Sequence, residues 1–259
     1  LKEYIGDGMS SVNLDLNLNV SGELAVNSNT TSTTSITSLH GTPTTTVRQH
    51  VIRALFDGTQ LSKITKIVLV DTGGTERDST TSLSYSVSGN ELTIACTISV
   101  TASYTIARVR SYADTYLYFD TTVSPQISVS SGDIVTVTLK ITASISGTLT
   151  YGTASYSMTM VDFGNLAVSV LAGTKSASDL KISGVIFVCQ TASYNASPTK
   201  NISSDGLTVY FSASATIISA DTLTAIEIWA PVKTLWKYSG LSIPLPAGSS
   251  VSYSESVSA

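Results

Sequence analysis

The chain repeats itself, and the repeat restricts its fold more than any other feature. Val20-Ser21-Gly22-Glu23-Leu24 matches Ile145-Ser146-Gly147-Thr148-Leu149 at an offset of 125. Leu55-Phe56-Asp57-Gly58-Thr59 matches Val170-Leu171-Ala172-Gly173-Thr174 at 115. Ile67–Val70 matches Val185–Val188 at 118, and Leu92-Thr93-Ile94 matches Leu207-Thr208-Val209 at 115. Ala107-Arg108-Val109 matches Ile226-Glu227-Ile228 at 119. Ile127-Ser128-Val129, Gly132 and Val135 match Ile243-Pro244-Leu245, Gly248 and Val251 at 116. The matches keep their order, and the drifts in offset fall between apolar runs. The chain is therefore read as a tandem duplication.

Most matched runs alternate apolar and polar residues, which is the pattern of a half-buried strand. They are rich in Val, Ile, Thr and Tyr, with Ser, Gly, Asn and Asp between them. Leu83-Tyr85-Val87, a turn at Ser88-Gly89-Asn90, and Leu92-Ile94-Cys96-Ile98 read as a hairpin. The expected fold class is all-β: two tandem antiparallel β-sandwich domains, Ig-like or jelly-roll-like, each with one short helix. The expected boundaries are an N-terminal arm at 1–11, a first repeat at 12–140 and a second at 141–259. The helix of the first copy is read at Val47–Phe56, with Gly58 placed to end it. In the second, Asp162 is placed as a cap, Phe163, Leu166, Val170 and Leu171 share a face, and Gly173 follows. A strand over Ala167-Val168-Ser169-Val170 is the alternative. Ser28–Thr46 is a Ser/Thr-rich stretch about ten residues longer than its counterpart, read as a mobile surface loop.

The clearest alternation is Val12, Leu14, Leu16, Leu18 and Val20, separated by Asn13, Asp15, Asn17 and Asn19. At offset 125 it aligns with Val137–Ile145, a run expected to close copy one and open copy two as a single long strand. Copy two ends on a weaker run, with Val251, Tyr253 and Val257 on one face and Glu255 where copy one has Leu139. A strong strand at one end and a weak one at the other allow two arrangements. Val12–Val20 folds back as the first strand of its own copy, or it is donated to complete the second domain of the next subunit. The candidate assembly residues are therefore Val12, Leu14, Leu16, Leu18, Val20, Val251, Tyr253 and Val257. On the donated arrangement, a chain lacking residues 1–20 stays a monomer.

Charged residues make up only 12% of the chain, about half the usual share, and mean hydropathy is +0.25. The net charge of −4 argues against nucleic-acid binding. The longest apolar run, Val185–Cys189, is too short to span a bilayer as a helix. Two cysteines, Cys96 and Cys189, allow one disulfide or two free thiols. The chain opens at Leu1, as a removed leader or a start inside a gene would leave it. Sequons stand at Asn19, Asn29, Asn195 and Asn201.

Chemistry is sparse. Asp71-Thr72-Gly73 has the composition of an aspartic-protease loop, but that reaction needs two carboxylates and the repeat partner of Asp71 is Cys189. A strand ending in a Gly-Gly turn is the plainer reading. Asp71, Glu76 and Asp78 could hold calcium, though a solvated turn is favoured. His40 and His50 belong to no zinc spacing, and no phosphate loop or nucleophile motif is present. No enzyme activity and no cofactor are expected. Aromatics gather at Tyr112, Tyr116, Tyr118 and Phe119, and at Trp229, Trp236 and Tyr238. A sugar platform would use such rings, with Trp236 as its test position, whereas matched placement in both copies favours packing.

Within each copy a helix runs into a glycine (Phe56-Asp57-Gly58, Leu171-Ala172-Gly173). An apolar strand follows, then a hairpin, then a strand such as Ile226-Glu227-Ile228, then a close such as Ile127–Val137. This layout resembles a domain common in structural proteins of phages and archaeal viruses. The low charge and Ser/Thr richness resemble extracellular filament subunits of hyperthermophilic archaea. The resemblance implies a homo-oligomeric structural protein of a virion surface, fibre or extracellular filament, in contact with its own copies, other virion proteins or host-surface glycans. The alternative is a cell-surface adhesin or carbohydrate-binding module.

Overall fold

The alternating N-terminal run becomes a strand that serves both copies. The computed structural model describes residues 12–29, 34–231 and 233–259; the arm expected at 1–11 lies outside the described residues. Strand β1 (Val12–Asn27) lies antiparallel to β9 (Ile134–Tyr151) from Leu14↔Gly147 to Asn27↔Ile134. The register of this ribbon is symmetric about the repeat offset. Leu14 faces Gly147, and Gly22 faces Leu139. Adding the repeat offset of 125 turns the first pair into the second with the strands exchanged. Leu18 and Ala143, themselves 125 apart, face each other at the centre. The two copies thus meet about a pseudo-twofold axis through the Leu18–Ala143 pair. As expected, β9 is one long strand through the junction.

Other strands flank the ribbon at each end. In the first half β2 (Thr34–Pro43) pairs with Val20–Asn27 of β1, and β6 (Glu91–Ser99) pairs with Ile134–Thr142 of β9. The sheet continues from β6 to β5 (Ser84–Ser88). From β2 it continues through β8 (Tyr116–Val129), β7 (Tyr104–Ala113) and β3 (Lys66–Asp71) to β4 (Glu76–Thr80). In the second half β10 (Ala154–Met160) pairs with β9, and then follow β16 (Thr234–Leu245), β15 (Asp221–Trp229), β11 (Gly184–Cys189) and β12 (Ser193–Ala196). On the other side β17 (Ser250–Ser258) pairs with β1, then with β14 (Thr208–Thr216), which pairs with β13 (Thr199–Ile202).

The all-β expectation holds, but two tandem sandwiches are not the arrangement found. All the strands join one curled system through β1 and β9. Sequence periodicity sets which face of a strand is wet; it does not say which strand lies beside it. The hairpin of β5 and β6 forms as read, with Ser88 opposite Glu91. The loop expected over Ser28–Thr46 is corrected. Thr34–Pro43 is β2, inserted between β1 and β8, with only Thr37 and Leu39 buried. Threonine suits a strand, but with so few inward apolar residues the run showed no alternation. Residues 30–33 lie outside the described residues.

Both helices form. Helix α1 (Thr45–Asp57) starts where the Thr44 side chain accepts a hydrogen bond from Val47 N, and it ends at Gly58, whose φ is 81°. Helix α2 (Phe163–Ala172) ends at Gly173 with φ 76°. Asp162 stands at the cap position but makes no side-chain cap bond; its Oδ1 accepts instead from Lys233 Nζ at 2.9 Å. The helices bridge the copies. α1 packs on β8 of its own copy and on β13 and β14 of copy two, while α2 packs on β16 of its own copy and on β5, β6 and β9. The ends are tied reciprocally: Ile182 N donates to Leu55 O and Ile64 N to Leu171 O, both at 2.9 Å. Each copy thus satisfies a terminal helix carbonyl of the other.

Candidate assembly interface

The second half contains one strand more than the repeat supplies. In copy one the closing strand, the first part of β9, pairs directly with the opening strand, the second part of β1. In copy two the corresponding strands are β17 and the second part of β9, and they do not pair. The first part of β1 lies between them, antiparallel to β9 and parallel to β17, with Val12↔Glu255 and Leu14↔Val257 in register. The same strand therefore opens its own copy at Val20–Asn27 and fills a slot in the other at its beginning.

The candidate assembly residues are all on the inner face. Val12, Leu14, Leu16, Leu18 and Val20 are buried, as are Val251, Tyr253 and Val257. Val257 sits opposite Leu14. Val251 and Tyr253 lie beyond the four β17 positions that pair with β1 and face Ala215 and Ala213 of β14.

Sequence reasoning missed the role of Glu255, which it read only as weakening the last strand. The residue is 3% exposed and points into the core. Tyr238 donates to Glu255 Oε1 at 2.6 Å, and Trp236 Nε1 donates to Oε2 at 3.1 Å. The Tyr253 hydroxyl is buried near the carboxylate without a well-formed hydrogen bond. Burial pushes the Glu255 carboxyl up to about 7, and the bonds from its neighbours oppose that rise. Burial and the nearby carboxylate raise Tyr238 and Tyr253 as well. An acidic residue at an inward position of an otherwise apolar alternation, with Trp236 and Tyr238 inward on β16, was the available signal. On the wet side the seam is covered by a cleft of about 310 Å³. Besides Lys200 and Glu255, its lining includes the uncharged Asn13, Asn201, Tyr210, Ser212 and Ser254.

Lys200 on β13 clips the halves together. Its ammonium donates to Phe56 O and, at 2.8 Å, to Ile182 O, and it lies 5.8 Å from the Phe56 ring centroid. Burial lowers its pKa to about 8, with Lys181 adding to the effect. A lowered lysine pKa means the unfolded chain holds more protons above pH 8, so stability should rise with pH there. Lys200→Met should remove that rise. Urea midpoints of both proteins from pH 8 to 9.5, below the tyrosine range, are expected to differ in slope by up to about 2 kcal/mol over the interval; equal slopes would contradict the lowering of the Lys200 pKa by burial.

The other sequence candidates are engaged separately. Asp71 is held in its turn by Thr75 N at 2.9 Å and pairs with Arg77 at 2.6 Å; the turn amide and Arg77 keep its carboxyl below the usual range. Glu76 turns to Tyr112 and Arg110. Asp78 accepts from Thr101 Oγ1 at 2.6 Å and from Tyr104 at 2.9 Å. Among the described residues, no three His, Cys, Asp or Glu side chains are placed to hold a metal. His50 Nδ1 and the Tyr118 hydroxyl share a hydrogen bond of 2.8 Å in the core, and His40 is exposed. Cys96 and Cys189 are buried free thiols, and burial pushes Cys96 up to about 11. Trp236 is fully buried against Phe163 and Phe211, in line with the packing role favoured for these rings, and offers no exposed ring for a sugar.

Among the described residues, no helix is long and apolar enough to cross a membrane. Compared with protein-family models, curated proteins and solved structures, the chain matches none.

Proposed function

We propose that the chain is a structural subunit of a virion surface, fibre or extracellular filament. It assembles with copies of itself by placing the strand Val12–Val20 in the β17–β9 slot of a neighbour. The observation that carries this reading is the interposed strand. Copy two takes from outside its own repeat a strand that copy one does without. Such a slot accepts the same strand from the same chain or from another, because ladder bonds and inward apolar residues would be identical. Transfer from each subunit to the next is a head-to-tail contact that propagates unless it closes into a ring.

The outer strands support the same reading. The edges β4, β5, β12 and β13 are four or five residues long and carry mainly Ser, Thr, Asn or charged side chains. Short polar edges discourage side-by-side sheet pairing. That leaves exchange at the slot as the route to a strand-mediated contact.

The test is a reversible lock. Asn13 and Ser256 face each other across β1 and β17, with a hydrogen bond of 2.7 Å between their side chains. Asn13→Cys combined with Ser256→Cys should form a disulfide that keeps β1 in its own slot. By negative-stain electron microscopy, the oxidised variant is expected to be dispersed and the reduced variant to assemble. Assemblies of equal number and form in both states would remove strand exchange from the proposal.

A further inference from the structure

We propose that Glu255 is the latch of this slot: the protonated carboxyl, packed against Tyr238 and Trp236, helps keep the start of β1 seated against β17, and loss of its proton weakens that seat. This rests on the strand-exchange reading for its purpose, though not for its chemistry.

The latch is placed at the seam. Glu255 is the first β17 residue in register with β1, directly opposite Val12. On its other side it faces Phe211 of β14. The groups packed around the carboxyl supply no cation. From β16 come the Trp236 indole and the Tyr238 hydroxyl, and from its own strand Tyr253 and Val257. From β1 come Val12 and Leu14, while Asp15 is exposed on the opposite face. The α2 ring Phe163, which carries no charge, packs edge-on against Trp236. Lys200, on the next strand beyond β14, has its ammonium committed to Phe56 O and Ile182 O.

A carboxylate with neutral donors and no counter-charge is costly in such a site. Its acid form suits the same site, donating or sharing one proton among the buried hydroxyls. An ionised Glu255 is relieved by water, and water reaches it when β1 moves out of the slot. The folded carboxyl titrates near 7, above its ordinary value of 4.5. The folded state therefore binds more protons than the opened state between those values, and the seat of β1 weakens as pH rises through that window. Mild acid tightens the slot, and neutral to alkaline conditions loosen it.

Amide hydrogen exchange of residues 12–20, followed by mass spectrometry at pH 5.5 and pH 8.0, tests the latch in the full chain. Glu255→Gln, measured at each pH, cancels the intrinsic pH dependence of exchange. Wild-type protection relative to E255Q is expected to fall roughly tenfold or more between the two pH values. Tyr238→Phe removes a donor that favours the carboxylate and is expected to move the transition to higher pH. An unchanged wild-type to E255Q ratio, with Tyr238→Phe also flat, overturns the latch. These readings concern β1 in its own chain. A latch that responds to pH beside a locked variant that still assembles would leave the latch standing and remove strand exchange. The reverse pair of results would do the opposite.

Discussion

Deleting residues 1–20 is expected to abolish the cooperative unfolding transition rather than release a folded monomer. The monomer belongs to the donated arrangement, one of the two that the sequence allowed for Val12–Val20. In the structure this segment is internal to the sheet. Its removal takes away five inward side chains, Val12, Leu14, Leu16, Leu18 and Val20, each at most 8% exposed. At about 2 kcal/mol each, their burial contributes on the order of 10 kcal/mol before entropy is counted. That is comparable with the whole stability of an ordinary domain, about 5–15 kcal/mol. Deletion also leaves the facing edges of β17 and β9 without ladder partners. A synthetic peptide spanning residues 10–27 should restore a sharp melting transition when added in trans, with a midpoint that rises with peptide concentration. Circular dichroism would follow both. A truncated chain that melts like the full one, with no response to peptide, would show that the slot does not need its strand.

The second large effect concerns the paired glycines of the ribbon. A Cβ on Gly22 would lie 2.0 Å from the Thr138 carbonyl oxygen, and one on Gly147 would lie 2.1 Å from Leu14 Cδ2. The two positions are related by the repeat, yet the obstacles differ. At Gly22 the obstacle is ladder backbone, which cannot retreat without breaking the register of β1 against β9. At Gly147 the nearest atom is the tip of a leucine side chain, although Asn13 O lies 3.0 Å away. Overpacking in a core usually costs about 1–3 kcal/mol, and more when backbone must shift. Gly22→Val is therefore expected to lose about 4 kcal/mol or more, and Gly147→Val about 2–3 kcal/mol. Urea titration of the two variants gives the comparison. Equal losses, or a larger loss at Gly147, would contradict the rigid-ribbon account.

What could be read from the sequence was local or periodic. Alternation in β1, β6 and β9 identified the wet and dry faces, since a strand has a period of two. Gly58 and Gly173 marked the helix ends because a left-handed residue there favours glycine. The repeat offset of 125 predicted that β9 would serve both copies. Thr34–Pro43 was missed because β2 buries too little to alternate. The separate partners of Asp71, Glu76 and Asp78 were also hidden: Arg110 and Tyr112 reach Glu76 from β7, and Thr101 and Tyr104 reach Asp78 from more than twenty residues away.

The sequence by itself determined the all-β class, the two helices and the inward residues of the shared strands, because these depend on near neighbours along the chain. Only the tertiary structure decided that the start of β1, Val12–Asp15, lies against β17 as well as β9, that the helix ends are bonded to the other copy, and that Glu255 is buried among Trp236, Tyr238 and Tyr253. A strand's pattern specifies a face to bury but not the neighbour that buries it. That choice is made by contacts between residues as far apart as Val12 and Glu255, whose cost and gain appear only when the whole sheet has closed around them.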